Sequence, residues 1–190
     1  GEGWTPGASP KALIQTIEED VSPRLIGQDP RYHTKIFAEV WKTTALNARR
    51  GILSFALSAV DLALWDLVGK ALQAPVYQLL GAFTDQVPCY ASAGLYGKGK
   101  DETALAEEMQ GYLAQGFSDV KMKVGGVSLE EDVKRVRAVR DAIGPRARLM
   151  VDANYTLSVP KSLKMAQAFE PYEIYWLEAP VSPDDVSGQA

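Results

Sequence analysis

A unit of strand, glycine-bearing loop and helix recurs at nearly constant spacing through the second half of this sequence, and it restricts the fold more than any other feature. Val87 to Ala93, Phe117 to Val124, Arg148 to Ala153 and Ile174 to Leu177 read as strands. Glu102 to Gln115, Leu129 to Ile143 and Lys161 to Phe169 read as the helices between them. Strands joined through helices are parallel, with right-handed crossovers. Lys123 to Asp152 is 29 positions (152 − 123), and Asp152 to Glu178 is 26 (178 − 152). An eight-fold β/α barrel uses roughly 30 residues per unit. No nucleotide-binding glycine fingerprint follows the first strand, which weighs against a dinucleotide fold. The expected fold class is therefore α/β: a partial TIM-type (β/α) barrel, strands 1–4, over residues 83–190. Residues 1–82 form a separate, mostly helical unit.

The charges fall at the ends of these strands. Along Asp119 to Val124, Val120, Met122 and Val124 share one face, while Asp119, Lys121 and Lys123 share the other. Met150, Asp152 and Asn154 share a face on the next strand, and Ile174, Trp176 and Glu178 share one on the last. In a barrel the carboxyl ends of the strands carry the active site. Consecutive strands thus bring ammonium, carboxylate and carboxylate to one rim. A structural ion network is the plainer alternative, since ion pairs at strand ends are common. Three in register favour a site. The carboxylates suit Mg²⁺, which takes hard oxygen ligands and keeps positions open for substrate oxygens. Two ammonium groups at i and i+2 repel each other, and a lysine that starts near pKa ~10.4 can then move toward neutrality. Lys123, nearer the strand end, is the better placed base, and Lys121 would tune it.

Lys121-Met122-Lys123, then Val151-Asp152-Ala153-Asn154, then Trp176-Leu177-Glu178-Ala179-Pro180 resemble the motifs of the enolase superfamily, in its mandelate racemase/muconate lactonizing branch. Ser58 to Lys70 resembles that family's long capping-domain helix, and Pro75 to Gly81 the segment leading into its barrel. The resemblance implies a modified TIM barrel with an α+β capping domain, of which residues 1–82 are the helical part. It implies Mg²⁺ held by Asp152 and Glu178, with Asn154 beside them binding substrate or supporting the ligands. It implies Lys123 as the base that removes the proton next to a substrate carboxylate, through an enediolate. Val181-Ser182-Pro183-Asp184-Asp185 is closer to mandelate racemase-like and acid-sugar dehydratase members than to lactonizing ones. The implied partner is a small hydroxy acid or acid sugar, and a homo-oligomer is expected. The resemblance also implies a third metal ligand on a fifth strand, near position ~204 on barrel spacing. A second acid/base is implied on the sixth and seventh strands, and a capping hairpin ahead of Gly1. The expectation is thus about half of a family member, with an α-proton-abstracting racemase or dehydratase as the function. The alternative from a different class is a non-catalytic half-barrel or assembly unit.

Composition narrows the rest. A net charge of −4 argues against non-specific nucleic-acid binding. The single cysteine, Cys89, excludes an internal disulfide and suits a reducing compartment; its apolar run suggests a buried, inert thiol. No basic start or apolar run opens the chain as a signal peptide does. Ile52 to Val68 is interrupted by Asp61 and Asp66 and falls short of the ~20 residues a membrane span needs. The expected location is cytoplasmic. That segment, within a helix from near Arg50 to Leu72, reads as one enclosed by neighbours, its aspartates satisfied by buried partners. Earlier helices are expected from Pro10 to Glu19, closed by Pro23, and from Tyr32 to Thr44. Gly1 to Gly7 reads as a loop or strand end. Gly94 to Asp101 nearly spells a phosphate loop, but Asp101 would repel phosphate and serves better as a helix cap. His33, the sole histidine, is expected on the surface or in packing. Glu130-Glu131-Asp132 is read as negative charge suited to a helix start.

Overall fold

The protein is described by a computed structural model that covers residues 9–46 and 51–189. Gly1 to Gly7 and the start of the third helix near Arg50 lie outside the described residues. The chain divides into two units, Gly1–Gln86 and Val87–Ala190, so the division falls four residues beyond the one read from the sequence.

The first unit contains helices and no strand among its described residues. Helix α1 (Pro10–Thr16) opens with proline in its first turn, where a missing N–H costs nothing. It is not closed by Pro23. A π-helical turn, Ile17–Val21, carries the chain into α2 (Ser22–Leu25), where Pro23 again occupies a first turn. A short 3₁₀ turn, Pro30–Tyr32, leads to α3 (His33–Thr44). Helix α4 (Ile52–Leu72) ends at Gln73 in the left-handed conformation, and α5 (Val76–Leu79) follows. One face of α4, from Leu53 through Ala56, Leu57 and Val60 to Leu64, packs with Val21, Ile36 and Val40 as this unit's core. Its other face is not enclosed within the unit, because Leu62 and Leu67 are about half exposed. Asp66 forms an exposed ion pair with Lys70 at 2.7 Å rather than a buried one. At 21 residues, α4 is long and apolar enough to cross a membrane on length and composition alone. His33 packs against Trp65, ring centroids 4.0 Å apart.

The second unit is a four-stranded parallel sheet of order β1-β2-β3-β4 with helices on one side. The strands are β1 (Ala91–Ser92), β2 (Asp119–Lys123), β3 (Arg148–Asp152) and β4 (Ile174–Glu178). Helices α6 (Glu102–Ala114), α7 (Leu129–Ile143) and α8 (Val159–Phe169) connect them, and α9 (Val186–Gln189) follows. This is the alternation of the first four strands of a (β/α) barrel. Val120, Met122, Val124, Leu149, Val151 and Ala153 face the helices and pack on Leu105, Met109, Val136, Val139, Met165 and Phe169. Asp101 caps α6, its carboxylate accepting from the Ala104 N–H at 2.8 Å, which is the helix-opening role read for it. Ser128 and Glu131 form a reciprocal capping box on α7.

Three expectations fail here. Strand β1 keeps only two residues, since Val87 is exposed and Pro88 offers no N–H to a ladder. Cys89, ahead of that strand, is exposed rather than buried. Ile174 does not share a face with Trp176 and Glu178. Leu149 pairs with Ile174 but Val151 pairs with Leu177, so β4 passes two residues where β3 passes only Met150. This bulge turns Ile174 and Leu177 to the helices and leaves Trp176 and Glu178 on the opposite face.

Candidate active site

The register sets the site. Lys123 pairs with Asp152 and Asp152 pairs with Glu178, so the last residues of β2, β3 and β4 lie side by side at one end of the sheet. Lys123 Nζ donates to Asp152 Oδ2 at 2.5 Å and to Asn154 Oδ1 at 3.1 Å. Lys121 Nζ, two residues back on the same face, donates to Glu178 Oε2 at 2.7 Å and lies 3.9 Å from Asp152 Oδ2. The Asn154 N–H donates to Asp152 Oδ1 at 2.8 Å. Asn154 reaches this geometry with φ +51°, a left-handed conformation that asparagine tolerates better than most residues. All five residues read from the sequence therefore come together. Lys121 and Asp152 are buried, whereas the Glu178 side chain is 38% exposed and that of Lys123 26%.

Charge compensation departs from what the lysine pair suggested. Burial alone would depress Lys121, but its contacts with the Glu178 carboxylate and with Tyr90 outweigh burial, and the net shift is upward. The ammonium–ammonium repulsion inferred from i, i+2 spacing is offset at Lys121 by a carboxylate on a neighbouring strand. Two ammonium groups and two carboxylates balance across the rim.

Other residues belong to this geometry and escaped the sequence. Tyr90 sets its ring 5.3 Å from Lys121 Nζ and packs edge-on against Trp176. Trp176 Nε1–H donates to Glu178 Oε2 at 3.2 Å, so that oxygen accepts from an indole and an ammonium together. The placement of one aromatic in each of these two strand segments, Tyr90 and Trp176, was the available signal, obscured by the short β1 and the β4 bulge. Asp132, read as part of a helix-start charge run, is instead fully buried beneath the β2 end.

Residues 104–190 match the family model for the enolase C-terminal domain-like fold, and residues 1–81 match that for the mandelate racemase / muconate lactonizing enzyme N-terminal domain. The chain belongs to the mandelate racemase/muconate lactonizing enzyme family of the enolase superfamily. Within that family it is 35% identical over 184 residues to the arabinonate dehydratase of Saccharolobus solfataricus, covering 97% of this chain and 49% of that protein. It is 36% identical over 190 residues to the 3,6-anhydro-alpha-L-galactonate cycloisomerase of Streptomyces coelicolor, covering 100% of this chain and 52% of the other. The crystal structure of a racemase from Streptomyces coelicolor A3(2) with bound magnesium superposes with a TM-score of 0.87 at 35% identity, over 97% of this chain and 55% of that one. The chain spans about half the length of the curated relatives it matches.

The donor chemistry of this family member fits a hard divalent cation. Asp152 and Glu178 offer carboxylate oxygens from register-paired positions, and the Glu178 side chain is open enough for exchange with solvent. They amount to two ligands: no cluster of three or more His, Cys, Asp or Glu side chains occurs among the described residues.

Proposed function

We propose that this chain carries the proton-abstracting and cation-binding strands of a Mg²⁺-dependent enzyme that removes the proton α to a carboxylate. The substrate class is a small hydroxy acid or acid sugar, and the outcome is racemisation or dehydration. The observation that carries this reading is the side-by-side placement of Lys123, Asp152 and Glu178 at the strand ends, with Lys121 behind them. Relatives named as dehydratase, cycloisomerase and racemase support the same reaction type.

Lys123 is the proton acceptor in this reading because it is the outermost amine on the rim and its side chain is partly open. Once Nζ has given up its own proton, it takes the α-proton as the C–H bond breaks, and the electron pair passes into an enediolate. Lys121, buried against Glu178, holds its ammonium charge in place and keeps that carboxylate oriented. Asn154 fixes Lys123 from one side and, through its backbone N–H, Asp152 from the other. Asp152 and Glu178 would hold Mg²⁺. The cation, when bound, supplies positive charge beside the substrate carboxylate, which makes so weak a carbon acid ionisable.

The test is exchange of the α-hydrogen of α-hydroxy and sugar acids with solvent deuterium, followed by proton NMR on the protein as its source makes it. Exchange that requires Mg²⁺ and is lost in Lys123→Ala is expected. An unchanged rate in that variant overturns the assignment.

A further inference from the structure

Beneath the rim, the β2 end is fastened by three side chains that make none of the contacts described for the site. Asp132, on the first turn of α7, has no exposed side-chain surface. Its Oδ2 accepts from the Gly125 N–H at 2.6 Å, and its Oδ1 accepts from the Tyr96 hydroxyl at 2.8 Å and from Arg135 Nη1 at 2.9 Å. Tyr96 Oη in turn accepts from the Gly126 N–H at 2.9 Å. Arg135 Nη1 also donates to the Lys123 carbonyl at 2.9 Å, and Nη2 donates to the Gly94 carbonyl at 3.3 Å. That same Gly94 carbonyl accepts from the Lys123 N–H. The guanidinium lies over the Tyr96 ring, 3.9 Å from its centroid.

Both backbone polar groups of Lys123 are thus tied into one network, as are the next two glycines. Gly125 is held at φ +84°, and any Cβ at Gly126 would strike the Tyr96 ring at 2.6 Å. The chain must reverse steeply after Lys123, and this network fixes where it does so. A second arginine gives the contrast. Arg140 on the same helix also ties loop carbonyls, those of Gly144, Ala147, Tyr172 and Glu173, but in segments that precede β3 and β4. Structural anchoring alone accounts for Arg140. It does not account for a network gathered on the residue that carries the rim's outermost amine.

We infer that Arg135, Asp132 and Tyr96 are positioning residues that set the location of Lys123 Nζ through its backbone, an inference that rests on Lys123 being the functional amine. The readout is the side-chain resonance of Lys123 in protein labelled with [ε-¹³C]lysine, assigned through Lys123→Arg and Lys121→Arg. Tyr96→Phe removes one hydroxyl, and Arg135→Lys keeps the charge but cannot reach two carbonyls at once. Each is expected to move the Lys123 signal by more than a linewidth and to leave that of Lys121 in place. Arg140→Lys is expected to lower the melting temperature and move neither. A Lys123 signal unmoved in both network variants, or moved as far by Arg140→Lys, overturns the inference. The signal is read without turnover, so failure of the proton-abstraction reading shows separately, as absence of Mg²⁺-dependent exchange.

Discussion

At the scale of single residues, buried charge without water has to be matched by a partner, as two aspartates among the described residues illustrate. Asp132 is the more demanding, since its carboxylate accepts from Gly125, Tyr96 and Arg135 with no solvent contact. Asp132→Ala leaves an arginine and a backbone N–H uncompensated, and a loss of about 3–5 kcal/mol in urea unfolding is expected. Asp119 illustrates pH linkage. The Arg148 guanidinium at 2.6 Å overcomes the opposing effect of burial and pulls its carboxyl down to about 2. Because the folded value lies below the unfolded one, the stabilisation is fully present above about pH 4. It is lost as pH falls toward about 2. Arg148 is half exposed, so the effect is on the order of 1 kcal/mol. Asp119→Asn should flatten that part of the acid-unfolding profile; a slope identical to the parent's would rule the pair out as its source. Residue-scale legibility was uneven. The lysines and carboxylates announce themselves by alternation, whereas Asp132 sits in a run of three acidic residues whose members face different ways. Glu131 closes the capping box and Asp132 turns inward, a distinction made by the helix's rotation and its neighbours rather than by composition.

At the scale of elements, the helices were legible because their ends carry chemical signals. Ser128 and Glu131 bracket the start of α7, Asp101 the start of α6, and the structure places both helices within a residue of the sequence reading. Ser128→Ala, which removes one half of the capping box, should cost ~1 kcal/mol of stability. The observable is the urea midpoint at unchanged m-value; a change in m would point to altered denatured-state structure instead. Strands were less legible. Their boundaries depend on partners from other parts of the chain, and two-fold alternation assumes that no residue is skipped. Both strand errors in the second unit have that origin. Strand β1 shortened because its pairing with β2 is confined to Ala91 and Ser92, and Ile174 changed face because β4 bulges. The apolar face of α4 exposes a further limit, since a helix rich in leucine all round reads as enclosed whether or not a neighbour supplies the cover.

At the scale of the whole molecule, β1 and β4 are the outer strands of the sheet among the described residues, and the site is held by the three strands β2, β3 and β4. Cation binding across those strands should register globally. A ligand that binds the folded state alone stabilises by about 2.7 kcal/mol at a hundred times its Kd. Mg²⁺ should therefore raise the melting temperature, EDTA should reverse the gain, and Asp152→Asn together with Glu178→Gln should abolish it. A melting temperature indifferent to Mg²⁺ in the parent protein would remove the two carboxylates from the metal-binding role proposed for them.

The β4 bulge makes the rim depend on parity. Between Leu149 and Val151 the third strand counts two steps, while from Ile174 to Leu177 the fourth counts three. If the same residues alternated with no bulge, Glu178 would turn toward the helices with Ile174, and Leu177 would take its place opposite the lysines. The strand can thus tolerate exchanges of side chain at Tyr175, which is largely exposed, and even loss of that residue, because Ile174, Trp176, Leu177 and Glu178 would then pair one for one with Leu149 to Asp152. In a lineage that diverges by point substitution and by single-codon gain or loss, positions 174–178 should accept substitution or loss at the bulge but not a gain between Leu177 and Glu178. Inserting one alanine there should abolish any Mg²⁺-dependent gain in melting temperature that deleting Tyr175 leaves intact.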